Sequence, residues 1–300
     1  MTGATGFLGS YLTRLLVREG ETVAILCRPG GDSWRIKNIL PYVTYIEGDL
    51  LDLDPVRERI LEFAPDTVFH LAWYGVGNKH RNDREQVRLN LMSSLALLEL
   101  AAEAGCRSFI GFGSQAEYGP QNMIIDEAAR TDPSTLYGAV KLSTYLLGRQ
   151  IAAELGVRFA WLRLFSSYGP MDGPDWMIPY LIRALLRGEE PALTPGEQRW
   201  DYLFVEDVAA AAYAVAKSPE AEGVFNLGSG TAHTLRKIIE RIRDAIDPSL
   251  PLGLGKVPYR PDQVMHLQAD PSKLKTVTGW EPQTGLDEGL ERTVEWHRRT

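Results

Sequence analysis

Thr2-Gly3-Ala4-Thr5-Gly6-Phe7-Leu8-Gly9 places glycines at GxxGxxG spacing directly ahead of an apolar-periodic stretch from Leu8 to Glu19. Gly3 permits a tight turn, Gly6 lets the backbone approach a pyrophosphate, and Gly9 lets the next helix pack closely, with helix N–H groups facing the anion. Taken alone, the triplet also fits a plain strand-to-helix turn. Its sequel favours the dinucleotide reading: about 18 residues after Gly9 the next apolar run ends at Cys27-Arg28, where such a fold reads the adenosine ribose. A carboxylate there pairs with the 2′-hydroxyl of NAD, whereas Arg28 can make charge-assisted bonds to a 2′-phosphate. NADP(H) is therefore favoured, with NAD(H) the alternative, and Arg28 also reads as a solvated loop cation. Gly3, Thr5, Gly6, Phe7, Leu8, Gly9 and Arg28 are the expected cofactor contacts of this end.

Outward from the turn, apolar β-rich runs alternate with helical stretches. Strands are expected over 22–27, 43–47, 67–72, 108–113 and 158–164, and helices over 8–19, 55–63, 84–104 and 136–155. This is the rhythm of a parallel sheet covered on both faces, a Rossmann-type doubly wound α/β fold. After Leu164 the pattern breaks into Tyr168-Gly169-Pro170, Gly173-Pro174 and Pro191 to Gly196, so a second lobe is expected there. Alternation returns with Tyr202 to Lys217, a helix after a short extended entry, and with Val224 to Leu227; 285–298 reads as a closing amphipathic helix. The expected partition is a cofactor domain of 1–165 with 201–228, and a smaller substrate lobe of 166–200 with 229–300.

The 300 residues, 44% hydrophobic, suffice for a substantial core. A net charge of −7 argues against a broad nucleic-acid footprint, which needs a cationic surface. No apolar run is long enough to span a bilayer and no signal-like segment opens the chain, so a cytoplasmic protein without membrane contact is expected. Cys27 and Cys106 lie far apart without a Cys/His cluster, so neither a disulfide framework nor a metal site is expected. Met1 stands two residues before Gly3, leaving no room for the strand that ordinarily feeds such a turn. The natural polypeptide is therefore expected to extend roughly five to eight residues upstream, Met1 being a misplaced start or an artificial boundary.

Tyr137 and Lys141 form YxxxK within an expected helix, which puts both side chains on one face. An ammonium beside a phenol favours the phenolate, which brings tyrosine closer to acid/base work at neutral pH. Ser114, 23 residues before Tyr137, ends an expected central strand. That carboxyl edge is where doubly wound sheets hold ligands.

With these residues the chain resembles the extended short-chain dehydrogenase/reductase family, which acts largely on nucleotide sugars. The resemblance runs over nearly the whole length through TGATGFLG at 2–9, Gly48-Asp49-Leu50, His70-Leu71-Ala72, GSQAEYG at 113–119, YGAVK at 137–141, RLFSSYGP at 163–170, NLGSG at 226–230, Tyr259-Arg260-Pro261-Asp262 and ADPSKLKTVTGW at 269–280. It implies that Tyr137 is the acid/base, that Lys141 tunes it and holds the nicotinamide ribose, and that Ser114 bonds the reacting oxygen. It implies further that Asn90 supports the proton-relay helix, that Asp49 and Leu50 sit by the adenine, and that Leu71 and Ala72 pass behind the dinucleotide. Asn90 could instead satisfy local backbone groups, and Asp49 could simply end a strand. Arg260 matches an arginine that binds the substrate diphosphate, with Ser166 and Arg199 further substrate candidates. Trp200 stands where the family pattern has arginine before Asp-Tyr, Arg199 lies one residue early, and Ser166 replaces the usual asparagine. Trp73-Tyr74 reads either as a wall of the sugar pocket or as core.

Family dehydratases carry an Asp-Glu pair after the catalytic hydroxyl, where this chain has Gln115-Ala116, with Glu117 displaced by one. Epimerase-reductases that make GDP-fucose use a cysteine where Ala116 stands. Hydride chemistry at one carbon remains. GSQAEYG and GEQRWDY look most like the 4-keto-6-deoxyhexose reductases, the abequose-synthase type among them. The alternatives are an epimerase with tightly bound NAD and, from another class, a non-enzymatic dinucleotide-sensing module. A nucleotide-diphosphate sugar is the expected small-molecule partner. A homodimer is expected through 84–104 and 136–155, which match the helices that pair relatives.

Overall fold

The computed structural model describes residues 1–260 and 263–300. In chain order its strands are β1 Ala24–Cys27, β2 Thr44–Glu47, β3 Thr67–His70, β4 Ser108–Ser114, β5 Ile124–Ile125, β6 Arg158–Leu164, β7 Ser166–Tyr168, β8 Ala192–Leu193, β9 Arg199–Phe204, β10 Gly223–Leu227, β11 Ala232–Thr234, β12 Gly253–Leu254 and β13 His266–Ala269. The α-helices are α1 Phe7–Arg18, α2 Arg57–Phe63, α3 Ser93–Glu103, α4 Leu136–Leu155, α5 Met177–Leu186, α6 Val205–Lys217, α7 Leu235–Ile246, α8 Ser272–Thr278 and α9 Leu286–Arg299.

The main sheet runs β10-β6-β4-β3 with every pair parallel, and β1 pairs β2 in parallel beside it. Strand β4 is buried at all seven residues, as befits an interior parallel strand covered on both faces. Its side chains alternate between two cores. Ile110 and Leu162 face α1 and α6, meeting Leu12, Leu16, Val208 and Ala212. Phe109, Phe159 and Trp161 face α3 and α4, meeting Leu97, Ala101, Tyr145 and Ala152. Gly111 and Gly113 are required because a Cβ on either would collide with the Trp161 indole.

A third apolar cluster joins α5, α7 and α9 through Ile178, Leu181, Ile238, Ile242, Leu290 and Val294, with Tyr168 and Phe204 beneath them. A five-stranded mixed sheet of short strands, β11-β9-β13-β5 with β7 pairing β9, lies between this layer and the main one. Leu274 of α8 and Trp280 pack back into the first core. Asp201 of β9, fully buried, accepts bonds from the amides of Ser229, Gly230 and Ala269, tying β9, the NLGSG turn and β13 together.

The helix expected over 84–104 opens differently: Val87–Met92 is a π-turn and the α-helix starts at Ser93. Between β1 and β3 the ladder consists of Thr2, which bridges Leu26 and His70 in parallel, with the Thr2 amide donating to the Phe69 carbonyl at 3.0 Å. Beside it lies an open cavity of about 420 Å³ whose walls include Val23, Leu26, Val68 and Phe69.

His70 closes the end of β3. Its Nδ1 lies 2.8 Å from Thr2 Oγ1 and its Nε2 2.8 Å from Ser94 Oγ. Ser94 Oγ donates to the Asn90 carbonyl, so it accepts from Nε2–H, and Nδ1 accepts from Thr2. Burial, reinforced by the positive charges of Lys141 and the N-terminal amine, lowers the His70 pKa from 6.5 to about 3. The folded chain thus refuses a proton that the unfolded chain takes up, and stability is lost as pH falls from 6.5 toward 3. The component attributable to His70 is on the order of 5 kcal/mol at its limit. Urea melts of wild type and His70→Gln are expected to converge on acidification; stability curves that stay parallel across this window contradict the assignment.

Candidate active site

The glycine turn is built by close approach. Gly3 has φ +71°, and a Cβ on it would lie 2.6 Å from the Ala72 amide nitrogen and 2.7 Å from the Leu71 carbonyl carbon. The turn therefore rests on the backbone of Leu71-Ala72, which brings these expected cofactor residues beside Gly3. The Gly6 amide donates to the Gly3 carbonyl at 3.0 Å, Thr5 is half-buried in the turn, and a Cβ on Gly9 would strike the Gly3 carbonyl. Gly6 is the N-cap of α1, with no side-chain cap and no acidic residue in the first turn, Phe7-Leu8-Gly9. An uncapped helix N-terminus over a glycine-bearing turn fits a dinucleotide diphosphate.

At the adenosine end, Arg28 follows buried Cys27 and is exposed; its side chain has no hydrogen bond or ion pair among the described residues. The Gly48 amide donates to the Cys27 carbonyl at 2.9 Å, bringing the end of β2 alongside. Asp49 accepts the Leu51 amide at 3.0 Å, so its carboxylate shapes its own loop, and Leu50 packs beside the core under α3 and β3.

Thr135 caps α4 by accepting the Gly138 amide at 3.1 Å. Gly138 then lets the first turn of α4 touch the turn after β4: a Cβ there would lie 2.9 Å from the Ala116 carbonyl carbon and 3.1 Å from Pro133 Cβ. This brings Tyr137 and Lys141 to Ser114, the last residue of β4. Ser114 Oγ accepts the Ala116 amide at 3.2 Å, which leaves the hydroxyl proton free to donate. Lys141 Nζ donates to the Phe112 carbonyl and sits 3.4 Å from the centroid of the Trp73 ring, a cation–π contact. Trp73 in turn meets the Tyr137 ring edge-on at 6.3 Å. Trp73 thus packs against the core under α3 and α4 and also contacts Lys141 and Tyr137.

The electrostatics differ from the expectation at one point. Lys141 does not pull the Tyr137 phenol toward neutral pH. Tyr137 is buried, and burial raises its pKa; Ser114 and the Arg81 cation pull the other way and Glu117 adds to the rise. Lys141 itself is pushed down to about 7, because desolvation outweighs the attraction of Glu117. The physical reason is that both groups lie out of water, and Nζ is turned to Phe112 and Trp73, 6.0 Å from the Tyr137 ring centroid.

Asn90 sits in the π-turn, buried, accepting the Tyr74 amide at 2.7 Å and donating to the Tyr74 carbonyl and to Gln86. It satisfies local backbone, and through Tyr74 it holds the segment that carries Trp73. The substrate candidates are more scattered. Ser166 is half-buried on β7, paired with Tyr202 of β9. Arg199 is exposed and donates to the Ala232 carbonyl, while Trp200 donates to the Val264 carbonyl. Arg260 is exposed, and the Pro261-Asp262 of its motif lies outside the described residues. Among the described residues no group of three or more His, Cys, Asp or Glu could hold a metal ion, and no helix is long and apolar enough to cross a membrane.

Fold and glycine turn together define a Rossmann-type dinucleotide-binding protein. A family model described as NAD dependent epimerase/dehydratase matches residues 1–228, and the chain belongs to that family, within the extended short-chain dehydrogenases/reductases. It is 27% identical over 310 residues to a trifunctional UDP-glucose 4,6-dehydratase/UDP-4-keto-6-deoxy-D-glucose 3,5-epimerase/UDP-4-keto-L-rhamnose-reductase of Arabidopsis thaliana, covering 99% of this chain but 46% of that protein. It thus spans less than half the length of that relative. Among solved structures it is similar to UDP-N-acetylglucosamine 4-epimerase from Methanobrevibacter ruminantium in complex with UDP-N-acetylmuramic acid, with TM-score 0.89, 27% identity and coverage of 99% and 97%. It is also similar to MoeE5 in complex with UDP-glucuronic acid and NAD, with TM-score 0.84, 30% identity and coverage of 99% and 98%.

Gly138→Ala tests the docking of α4. The added methyl must push the helix off the Ala116 carbonyl, so a drop in melting temperature and a loss of turnover of about tenfold or more are expected; unchanged thermal stability and kinetics would show that the contact does not position Tyr137.

Proposed function

We propose that the protein is an NAD(P)-dependent nucleotide-sugar oxidoreductase that reduces the keto carbon of a 4-keto-6-deoxyhexose nucleotide. The observation that carries hydride chemistry over elimination lies just past β4. Gln115 and Ala116 follow Ser114, and the nearest carboxylate, Glu117, is fully buried with both oxygens bonded to protein groups. Elimination of water needs an acid and a base open to the sugar, and this turn offers neither.

When bound, the nicotinamide supplies the hydride. Tyr137, whose raised pKa keeps the phenol protonated at neutral pH, delivers a proton to the carbonyl oxygen as it gains charge. That state suits the reductive direction. Ser114 donates its free hydroxyl proton to the same oxygen and fixes its place. Lys141, released from the Phe112 carbonyl, binds the nicotinamide ribose, and Asn90 steadies the Trp73-Tyr74 wall. The glycine turn, Leu71 and Ala72 hold the diphosphate, with Asp49 and Leu50 by the adenine. Exposed Arg28 supports NADP(H); NAD(H) is the reading favoured by the NAD in the MoeE5 structure. Residues 166–200 and 229–300 form the substrate lobe in this reading, with Ser166, Arg199 and Arg260 toward the nucleotide diphosphate. Exposed Leu146, Leu147 and Leu155 on α4 support pairing of two copies through that face.

A second reading, epimerisation with retained NAD, is favoured by the likeness to a 4-epimerase structure. Incubation with dTDP-4-keto-6-deoxyglucose and NADPH separates the two. Stoichiometric loss of reduced-nicotinamide absorbance, abolished in Tyr137→Phe, is expected. Isomerisation of a UDP-hexose with no net cofactor consumption would overturn reduction. For the cofactor, Arg28→Asp is expected to weaken NADPH binding about tenfold or more while leaving NADH little changed; equal effects on both would remove Arg28 from the ribose site.

A further inference from the structure

Ser114 is held by a buried polar cluster that the proposed chemistry does not itself use. Glu117 ends the turn after β4 and is fully buried. Its Oε1 accepts the Ser114 amide at 2.8 Å and the Trp161 indole N–H at 2.9 Å. Its Oε2 accepts Arg163 Nε at 2.7 Å, and Arg163 is itself buried. Arg163 stacks over Tyr118 at 4.4 Å and faces Tyr145 of α4 at 5.6 Å. One carboxylate therefore connects the carboxyl end of β4, the neighbouring strand β6 and the turn on which α4 rests. A buried ion pair of this kind adds little net stability, since desolvation offsets the attraction. Its geometry is specific, however, because three donors from two neighbouring strands, Ser114 of β4 and Trp161 and Arg163 of β6, converge on two oxygens.

We infer that Glu117 is a positioning residue for Ser114: by accepting the Ser114 amide while anchored on Arg163 and Trp161, it fixes the backbone from which the Ser114 hydroxyl reaches the reacting oxygen. This rests on the proposed role of Ser114. The two contacts on Ser114 act together, the Glu117 carboxylate on its amide and the Ala116 amide on its Oγ, so the rotamer and the peptide plane are both constrained. The charged and titratable groups facing this region are Arg163 on β6, Lys141 and Tyr145 on α4, Tyr137 with Arg81 beside it, and Tyr118 in the turn.

Removing Glu117 alone strands a buried Arg163 and risks unfolding. The test therefore compares two charge-free pairs, Glu117→Gln with Arg163→Met and Glu117→Leu with Arg163→Met. Both lose the ion pair, and only the first keeps an acceptor for the Ser114 amide. With dTDP-4-keto-6-deoxyglucose and NADPH, and folding checked by circular dichroism and melting temperature, the Leu/Met chain is expected to lose about a hundredfold in kcat relative to Gln/Met, with KM changed less than threefold. Equal kcat in the two folded pairs would overturn the inference. Ser114→Ala is the control on the underlying reading: if it keeps full activity, Ser114 is not at the reacting oxygen, whereas activity lost in Ser114→Ala but kept in Leu/Met overturns the positioning role alone. If wild type does not turn over this probe, the titration of Tyr137 decides, read as the tyrosinate absorbance missing in Tyr137→Phe. Because Ser114 lowers the Tyr137 pKa, a higher titration midpoint in Leu/Met than in Gln/Met supports the inference, and identical midpoints overturn it.

Discussion

The approach of helix α4 to the carboxyl end of strand β4 is the contact on which the site depends. Gly138 has no side chain to hold the helix away from the Ala116 carbonyl, and Lys141, one turn further on, reaches the Phe112 carbonyl of the strand. A doubly wound sheet brings helix and strand together in any case. The missing Cβ sets the distance, and with it the meeting of a phenol, an ammonium and a hydroxyl at one strand end. The cost is electrostatic. Both titratable groups leave water, so the lysine is held near neutrality and the phenol stays protonated. A site in this state is suited to giving a proton.

The surroundings of that contact are more polar than a sheet interior usually is. His70 is clamped between Thr2 and Ser94. Asn90 and Gln86 hold the Trp73-Tyr74 segment from behind. Glu117 and Arg163 pair without water. Each buried group has partners, so none incurs the full penalty of desolvation. Together they tie the ends of β3 and β4 to α3, the π-turn and β6.

The sequence carried the fold because its signals are local. Short apolar β-rich runs marked β4 and β6, and the GxxGxxG turn marked the entry to α1. Tyr137 and Lys141 were legible from four-residue helical spacing, and Ser114 from its place at a strand end. What was not legible arises from distance in the chain. The Lys141–Trp73 contact joins residues far apart in sequence, so the effect of Lys141 on Tyr137 was misjudged: spacing along α4 shows two side chains on one face, but not that a third, from the loop after β3, draws the ammonium aside. Glu117 was readable in part, since Ser114-x-x-Glu117 is a capping-box pattern, though its pairing with Arg163 needed the β4–β6 register. The π-turn at Val87–Met92 leaves no pattern in hydrophobic spacing, and Arg199, Trp200 and Arg260 depend on a lobe whose strands are short and irregular.

The central claim is that this strand end directs a hydride from cofactor to sugar carbon with net reduction. Transfer of label from NADPH deuterated at the nicotinamide C4, followed by mass spectrometry and NMR of the sugar product, tests it most directly. One deuterium per turnover, carried on the former keto carbon and accompanied by an equivalent of oxidised cofactor, is the predicted result. Product without the label, or formed with the cofactor unchanged, would contradict it.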